Sequence, residues 1–230
     1  MPKNILITGA NGNLGAATVK KFLDEGYKVI AVDHSGTHLG FAASHDNFEL
    51  RAVDLNDEPA VGTFLEEIIQ LYARIDGALL LAGGFAMGDA LSMDGESFRK
   101  MTALNFETAW NVAHPLFRHM MANGYGRLVF IGARPALKPE QGKGAMAYAL
   151  SKSLLFQTAE LLNATAKGTN VVASVVTPST IDTTQNRQSM PDADPATWVR
   201  PEQIAGILEF ICSERGDAIR EPVYKVYNNS

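Results

Sequence analysis

The sequence predicts an α/β fold: a single doubly wound, seven-stranded parallel sheet with helices on both faces. Three observations carry that expectation. Short β-branched or leucine-rich runs alternate with stretches of helical spacing, the order of βαβ units. The runs are continuously apolar (ILI, VIAV, ALLLA, RLVFI, VVASVV), as strands are when helices cover both faces of a parallel sheet. Across 230 residues there is no linker-like Pro, Ser or Gly tract and no fixed-period repeat, so residues 1–230 read as one domain.

The first strand, Asn4 to Thr8, runs into Gly9-Ala10-Asn11-Gly12-Asn13-Leu14-Gly15 and then a helix with Leu14, Val19, Phe22 and Leu23 on one face. Glycine is needed where the chain turns sharply, where backbone approaches a pyrophosphate, and where helix packs on strand. Gly9, Gly12 and Gly15 fit those roles, although the spacing is G-x-x-G-x-x-G and such a turn can also be purely structural. The second strand, Lys28 to Val32, ends at Asp33, whose carboxylate would bind ribose hydroxyls and repel a 2′-phosphate, favouring NAD(H) over NADP(H). Alternatively Asp33 simply closes the strand. After the third strand, Phe48 to Val53, Asp54 and Leu55 stand where adenine could be read, with an N-cap as the other reading of Asp54. Val61, Phe64, Leu65, Ile68 and Leu71 form the apolar stripe of the next helix.

The fourth strand, Ile75 to Leu81, leads to Ala82-Gly83-Gly84-Phe85, and helical spacing then covers Glu96 to Met121. The fifth, Gly126 to Ile131, precedes Gly132-Ala133-Arg134. A helix from about Gly144 to Ala166 carries Tyr148 and Lys152 on one face, four residues apart. Bringing a phenol from its ordinary pKa of about 10 to about 7 takes about 4 kcal/mol, which Lys152 and a cationic nicotinamide could supply in a partly desolvated site. By itself the Tyr-x-x-x-Lys pair also arises by chance in amphipathic helices. The sixth strand, Asn170 to Val176, is followed by the longest irregular stretch, Thr177 to Arg200, read as a lid. The seventh strand is Val223 to Tyr227.

Together, the glycine turn, Asp33, Tyr148 and Lys152 give the chain a pattern that resembles the short-chain dehydrogenase/reductase family over nearly its whole length. The resemblance implies a single-domain Rossmann fold, a nicotinamide cofactor, Tyr148 as acid/base, Lys152 as its ribose-binding partner, and Asn105 supporting that lysine through water. It puts Ala82, Gly83, Gly84, Pro178, Thr180 and Thr183 at cofactor positions, with Ser179 replacing a glycine. Two departures stand out: Leu81-Ala82-Gly83-Gly84 replaces Asn-Ala-Gly, and Ala133 falls where the family keeps a carbonyl-polarising serine. Losing that hydroxyl should damage ordinary ketone reduction.

Within the family, Gly132 to Leu137 and the run Asn186 to Asp194 resemble the dihydropteridine reductases. That implies hydride transfer from NADH to a quinonoid dihydropterin or a similar flat acceptor, with Phe85, Ala133, Asn186 and Trp198 as candidate substrate contacts. A general NAD-dependent carbonyl reductase and a non-catalytic NAD-binding regulator are the alternatives.

With 20 basic and 25 acidic residues, a net charge of −5, the chain has no basic stripe for nucleic acid. Cys212 is the only cysteine, which suits a reducing, cytoplasmic setting, and no signal peptide or membrane span is read. His34, His38, His45, His114 and His119 lack metal-site spacing, and Asp192 and Asp194 read as a solvated turn before Pro195. The partners expected are a small-molecule substrate and, by the resemblance, a second or further copies, as homodimer or homotetramer, through helices at 96–121 and 144–166. Ala145, Ala147 and Ala149 suit either that close approach or packing on the sheet.

Overall fold

In the computed structural model, which describes residues 2–229, seven strands form one all-parallel sheet. They are β1 (Asn4–Thr8), β2 (Lys28–Val32), β3 (Phe48–Arg51), β4 (Gly77–Leu80), β5 (Tyr125–Ile131), β6 (Asn170–Pro178) and β7 (Val223–Val226). The order β3-β2-β1-β4-β5-β6-β7 reverses between β1 and β4, and the strands' carboxyl ends there open the crevice in which such sheets bind ligands.

The helices among the described residues are α1 (Asn13–Asp24), α2 (Glu58–Tyr72), α3 (Gly95–Thr102), α4 (Thr108–Asn123), the short α5 (Arg134–Leu137) and α6 (Pro139–Gly142), α7 (Met146–Thr165), α8 (Thr184–Ser189) and α9 (Pro201–Cys212). Each face of the sheet has its own core. Leu6, Ile30, Ala78, Leu128 and Val175 pack against α2, α4 and α7, while Ile5, Ile7, Val29, Val129 and Val176 pack against α1 and α9. Adjacent strand residues thus enter opposite cores, which is why the strands read as unbroken apolar runs.

Several expectations shift. The helical stretch expected from Glu96 to Met121 is α3, a π-helical segment over Ala103–Glu107, and α4. Leu71 is exposed rather than part of the buried stripe, as are Leu154 and Leu161 on α7. The stretch 177–200 is not wholly irregular: Thr183 caps α8 by accepting the Asn186 N–H, and Asp194 caps a short 3-10 turn at Pro195–Thr197. Capping by side chains makes these turns without any apolar periodicity.

Candidate active site

The site begins where β1 and β4 part. The Thr8 hydroxyl accepts the N–H groups of Leu81 and Ala82 at 3.1 and 3.3 Å, tying the two strand ends together. Gly9 has φ +62°, and a Cβ there would lie 2.8 Å from the Ala82 nitrogen; one on Gly15 would lie 2.1 Å from the Gly9 carbonyl oxygen. Conformation and close approach therefore require both glycines. Gly12 precedes α1, which has no side-chain cap and no acidic residue in its first turn. With Asn13 exposed at its first position and Leu14 half-buried, the turn leaves helix N–H groups facing out, a cradle that fits a diphosphate.

Asp33 sits at the rim of this cradle. Its Oδ2 accepts the Asn11 N–H at 2.9 Å and its Oδ1 the His34 N–H at 2.7 Å. The Asn11 side chain accepts the His38 N–H at 2.6 Å and donates to the Ser35 hydroxyl at 2.9 Å. Across the sheet edge, Asp54 accepts both the backbone and amide N–H of Asn56, which hold its carboxyl below the usual range. Asp54 is not the cap of α2: Asp57 is, accepting the Ala60 N–H at 3.0 Å. Leu55 is buried, and its carbonyl accepts the Asn111 amide.

From α7, Tyr148 and Lys152 face the ends of β4 and β5. Lys152 is buried and donates from Nζ to the Ile131 carbonyl at 2.9 Å. A Cβ on Gly83 would lie 2.7 Å from Asn105 Oδ1 and 3.1 Å from Lys152 Nζ, so glycine at 83 is what admits both polar atoms. Burial pushes the Lys152 ammonium down to about 8 and the Tyr148 phenol up to about 12. The lowered phenol expected with a cationic nicotinamide beside Lys152 is not what the protein alone gives, because burial is what acts on Tyr148 here. The ammonium is engaged by the Ile131 carbonyl, and desolvation disfavours phenolate and ammonium alike.

Asn105 lies in the π-helical segment, fully buried. Its Oδ1 accepts the Gly84 N–H at 2.9 Å, and its Nδ2 donates to the Ser151 hydroxyl at 3.1 Å. Ala133, 4% exposed, precedes α5 and presents a methyl group at the end of β5. Beneath neighbouring Gly132, the Thr177 hydroxyl is fully buried with no hydrogen-bond partner among the described residues. Phe85, 60% exposed, stands edge-on to Tyr148 with ring centroids 5.0 Å apart at 74°.

The stretch after β6 is held by its own side chains. Pro178 is buried, the Ser179 hydroxyl donates to the Tyr227 carbonyl, and the Thr180 carbonyl accepts the Val199 N–H. The Asn186 amide donates to the Ile181 carbonyl at 2.8 Å, and Arg187 grips both carboxylate oxygens of Asp182. Trp198 is buried and, with Asp182, Arg187, Arg200 and Asn228, lines a cavity of about 510 Å³. Tyr148, Lys152, Asn105, Gly83, Gly84 and Phe85 are therefore brought together, while the Asn186 amide is held by the Ile181 carbonyl and Trp198 borders the cavity beside Asp182. Ser151 and Thr177 were missed by sequence reasoning; the one available signal was the place of Ser151 three residues beyond Tyr148, one helical turn away.

Comparison with known proteins agrees with this geometry. A short chain dehydrogenase family model matches residues 3–194. The chain is 29% identical to the 3-oxoacyl-[acyl-carrier-protein] reductase MabA of Mycobacterium tuberculosis, over 97% of this chain and 91% of that protein. It is 27% identical to the dihydropteridine reductase of Dictyostelium discoideum, over 89% and 85%. Among solved structures, gox2181 superposes with a TM-score of 0.88 at 20% identity, covering 98% of this chain and 94% of that one. ElxO with NADP bound gives 0.89 at 19% identity, covering 98% and 97%. A strand-order reversal with a glycine cradle, a Tyr148–Lys152 helix beside it and a family match spanning most of the chain lead to one conclusion: this protein belongs to the short-chain dehydrogenase family, oxidoreductases that bind NAD(P).

Proposed function

We propose that the protein transfers a hydride from NADH to a quinonoid dihydropterin or a similar flat, conjugated acceptor. The observation that carries this reading is Ala133: the end of β5 offers a methyl group where a carbonyl-reducing site would place a polarising hydroxyl. A quinonoid ring is already electron-poor, and hydride addition restores a stable ring, so it depends less on that hydroxyl. The exposed Phe85 edge-on to Tyr148, the run Asn186 to Asp194 and the Dictyostelium discoideum dihydropteridine reductase among the relatives support the same acceptor.

The residues take distinct roles in this reading. The glycine turn and the N–H groups of α1 hold the diphosphate, and Asp33 takes the ribose hydroxyls and repels a 2′-phosphate. When bound, the nicotinamide supplies the hydride and, once oxidised, a positive charge. Tyr148 donates the proton that accompanies hydride addition, Lys152 holds the nicotinamide ribose, and Asn105 orients the lysine's surroundings. Pro178, Thr180 and Thr183, at the start of the lid stretch 177–200, border the cofactor from the β6 side. We also infer self-association, as dimer or tetramer, through α4 and α7, where Leu150, Leu154 and Leu161 are exposed. A cytoplasmic, reducing setting suits the buried thiol of Cys212.

A second reading, carbonyl reduction with Thr180 or a water replacing the serine, is favoured by the MabA relative. One assay panel separates them: NADH and NADPH against quinonoid dihydropterin, quinones, simple ketones and 3-oxoacyl thioesters. The proposal expects dihydropterin turnover, at least about tenfold preference for NADH, and a loss of about a hundredfold or more in Tyr148→Phe with NADH binding kept. Turnover of ketones or thioesters without dihydropterin would move the assignment to the second reading. NADH binding without turnover on any acceptor would overturn both.

A further inference from the structure

We propose that Ser151 is a positioning residue for this site: its hydroxyl, committed as donor to the Tyr148 carbonyl, turns its lone pair on Asn105 Nδ2 and so locks the Asn105 amide. The inference rests on the oxidoreductase site proposed above.

The geometry is a relay of three hydrogen bonds. Ser151 Oγ donates to the Tyr148 carbonyl at 2.9 Å, Asn105 Nδ2 donates to Ser151 Oγ at 3.1 Å, and the Gly84 N–H donates to Asn105 Oδ1 at 2.9 Å. Both side chains are fully buried. A serine that returns its hydroxyl to a carbonyl one turn back is ordinary in helices. The particular feature is the second partner. Because the hydroxyl proton is taken by Tyr148, only the oxygen lone pair is left for Asn105, which can then present only its NH₂ to α7 and its carbonyl to Gly84. That orientation sets Asn105 Oδ1 against the α-carbon of Gly83, whose missing Cβ also admits Lys152 Nζ.

Two further facts argue against a filler role. Alanine is the better helix former, so an interior serine costs α7 stability unless its hydroxyl is used. Asn105 sits in a π-helical segment, a local widening common at functional sites, and α7 reaches it there through the Ser151 hydroxyl; its other contact from Nδ2 is the Met101 sulfur at 3.8 Å, a weak acceptor. Ser151 thus couples the first turn of the Tyr148 helix to the Asn105 amide and the Gly84 loop.

The test uses the full chain as Ser151→Ala, Asn105→Ala and the double variant, with NADH and quinonoid dihydropterin. Ser151→Ala should lower kcat about tenfold or more, leaving the KM and the fluorescence-measured Kd for NADH within twofold. The double variant should be no worse than Asn105→Ala beyond twofold, because both changes remove one relay. Independently of turnover, the Asn105 side-chain NH₂ pair in a ¹⁵N correlation spectrum, assigned by its loss in Asn105→Ala, should shift and exchange faster in Ser151→Ala. Full kcat with only a lower Tm, multiplicative losses in the double variant, or an unmoved NH₂ pair would each overturn the role. A wild type inert with every acceptor would overturn the proposed function instead, and the NH₂ pair would still decide Ser151.

Discussion

Lys152 is an ammonium withdrawn from water with the Ile131 carbonyl as its acceptor, and burial brings its pKa from 10.5 down to about 8. An unfolded chain keeps that proton to higher pH than the folded one, so between about pH 8 and 10.5 the wild type gains stability relative to a variant lacking the group. In urea unfolding, Lys152→Met should therefore lose ground to wild type by about 3 kcal/mol on going from pH 7 to 10.5. A pH-independent difference would show that the ammonium is solvated. Tyr148 is a different case: in the protein alone only burial acts on it, raising it to about 12, and positive charge developing on a nicotinamide as hydride leaves would favour loss of its proton.

Among the elements, α1 and the turn before it are the least tolerant. A Cβ on Gly15 would meet the carbonyl oxygens of Gly9 and Ala10 at 2.1 and 2.6 Å, backbone atoms with no free end to swing away. Gly15→Ala should move the helix N-terminus off its axis, weakening NADH binding at least about tenfold in a fluorescence titration and costing about 1–3 kcal/mol of stability. Gly62→Ala is the matched control: it lies within α2, a Cβ there meets nothing within 4 Å, and it should stabilise the protein by about 0.5–1 kcal/mol. NADH affinity unchanged in Gly15→Ala would remove the cradle from the argument. The short α8 depends instead on the Thr183 cap and the Asp182–Arg187 pair, both within its own stretch of chain.

At the scale of the whole molecule, α7 exposes Leu150, Leu154 and Leu161, and α4 exposes Trp110 stacked on His114, the two helices through which the proposed self-association would run. Leu154→Glu should convert a dimer or tetramer to smaller species in light scattering while the monomer stays folded; a monomeric wild type would refute the interface. Of the small residues read for that role, Ala145 and Ala147 are buried within the subunit and pack inward. The order of strands and helices was legible because it depends on local pattern: β1 and β2 begin and end where the apolar runs do, and Gly9 and Gly15 are required by backbone geometry that no other residue meets. Strand ends were less legible, since β3 stops at Arg51 and β6 continues to Pro178 according to their neighbours. The sequence by itself determined the architecture, the glycine cradle and the pairing of Tyr148 with Lys152 on one helical face. Only the tertiary structure decided that Gly83, Asn105, Ser151 and Lys152 meet, that Trp198 borders a cavity with Asp182 and Arg187, and that burial raises the Tyr148 phenol in the protein alone. Those outcomes depend on distances between separate elements and on water excluded between them, which no periodicity along one segment encodes.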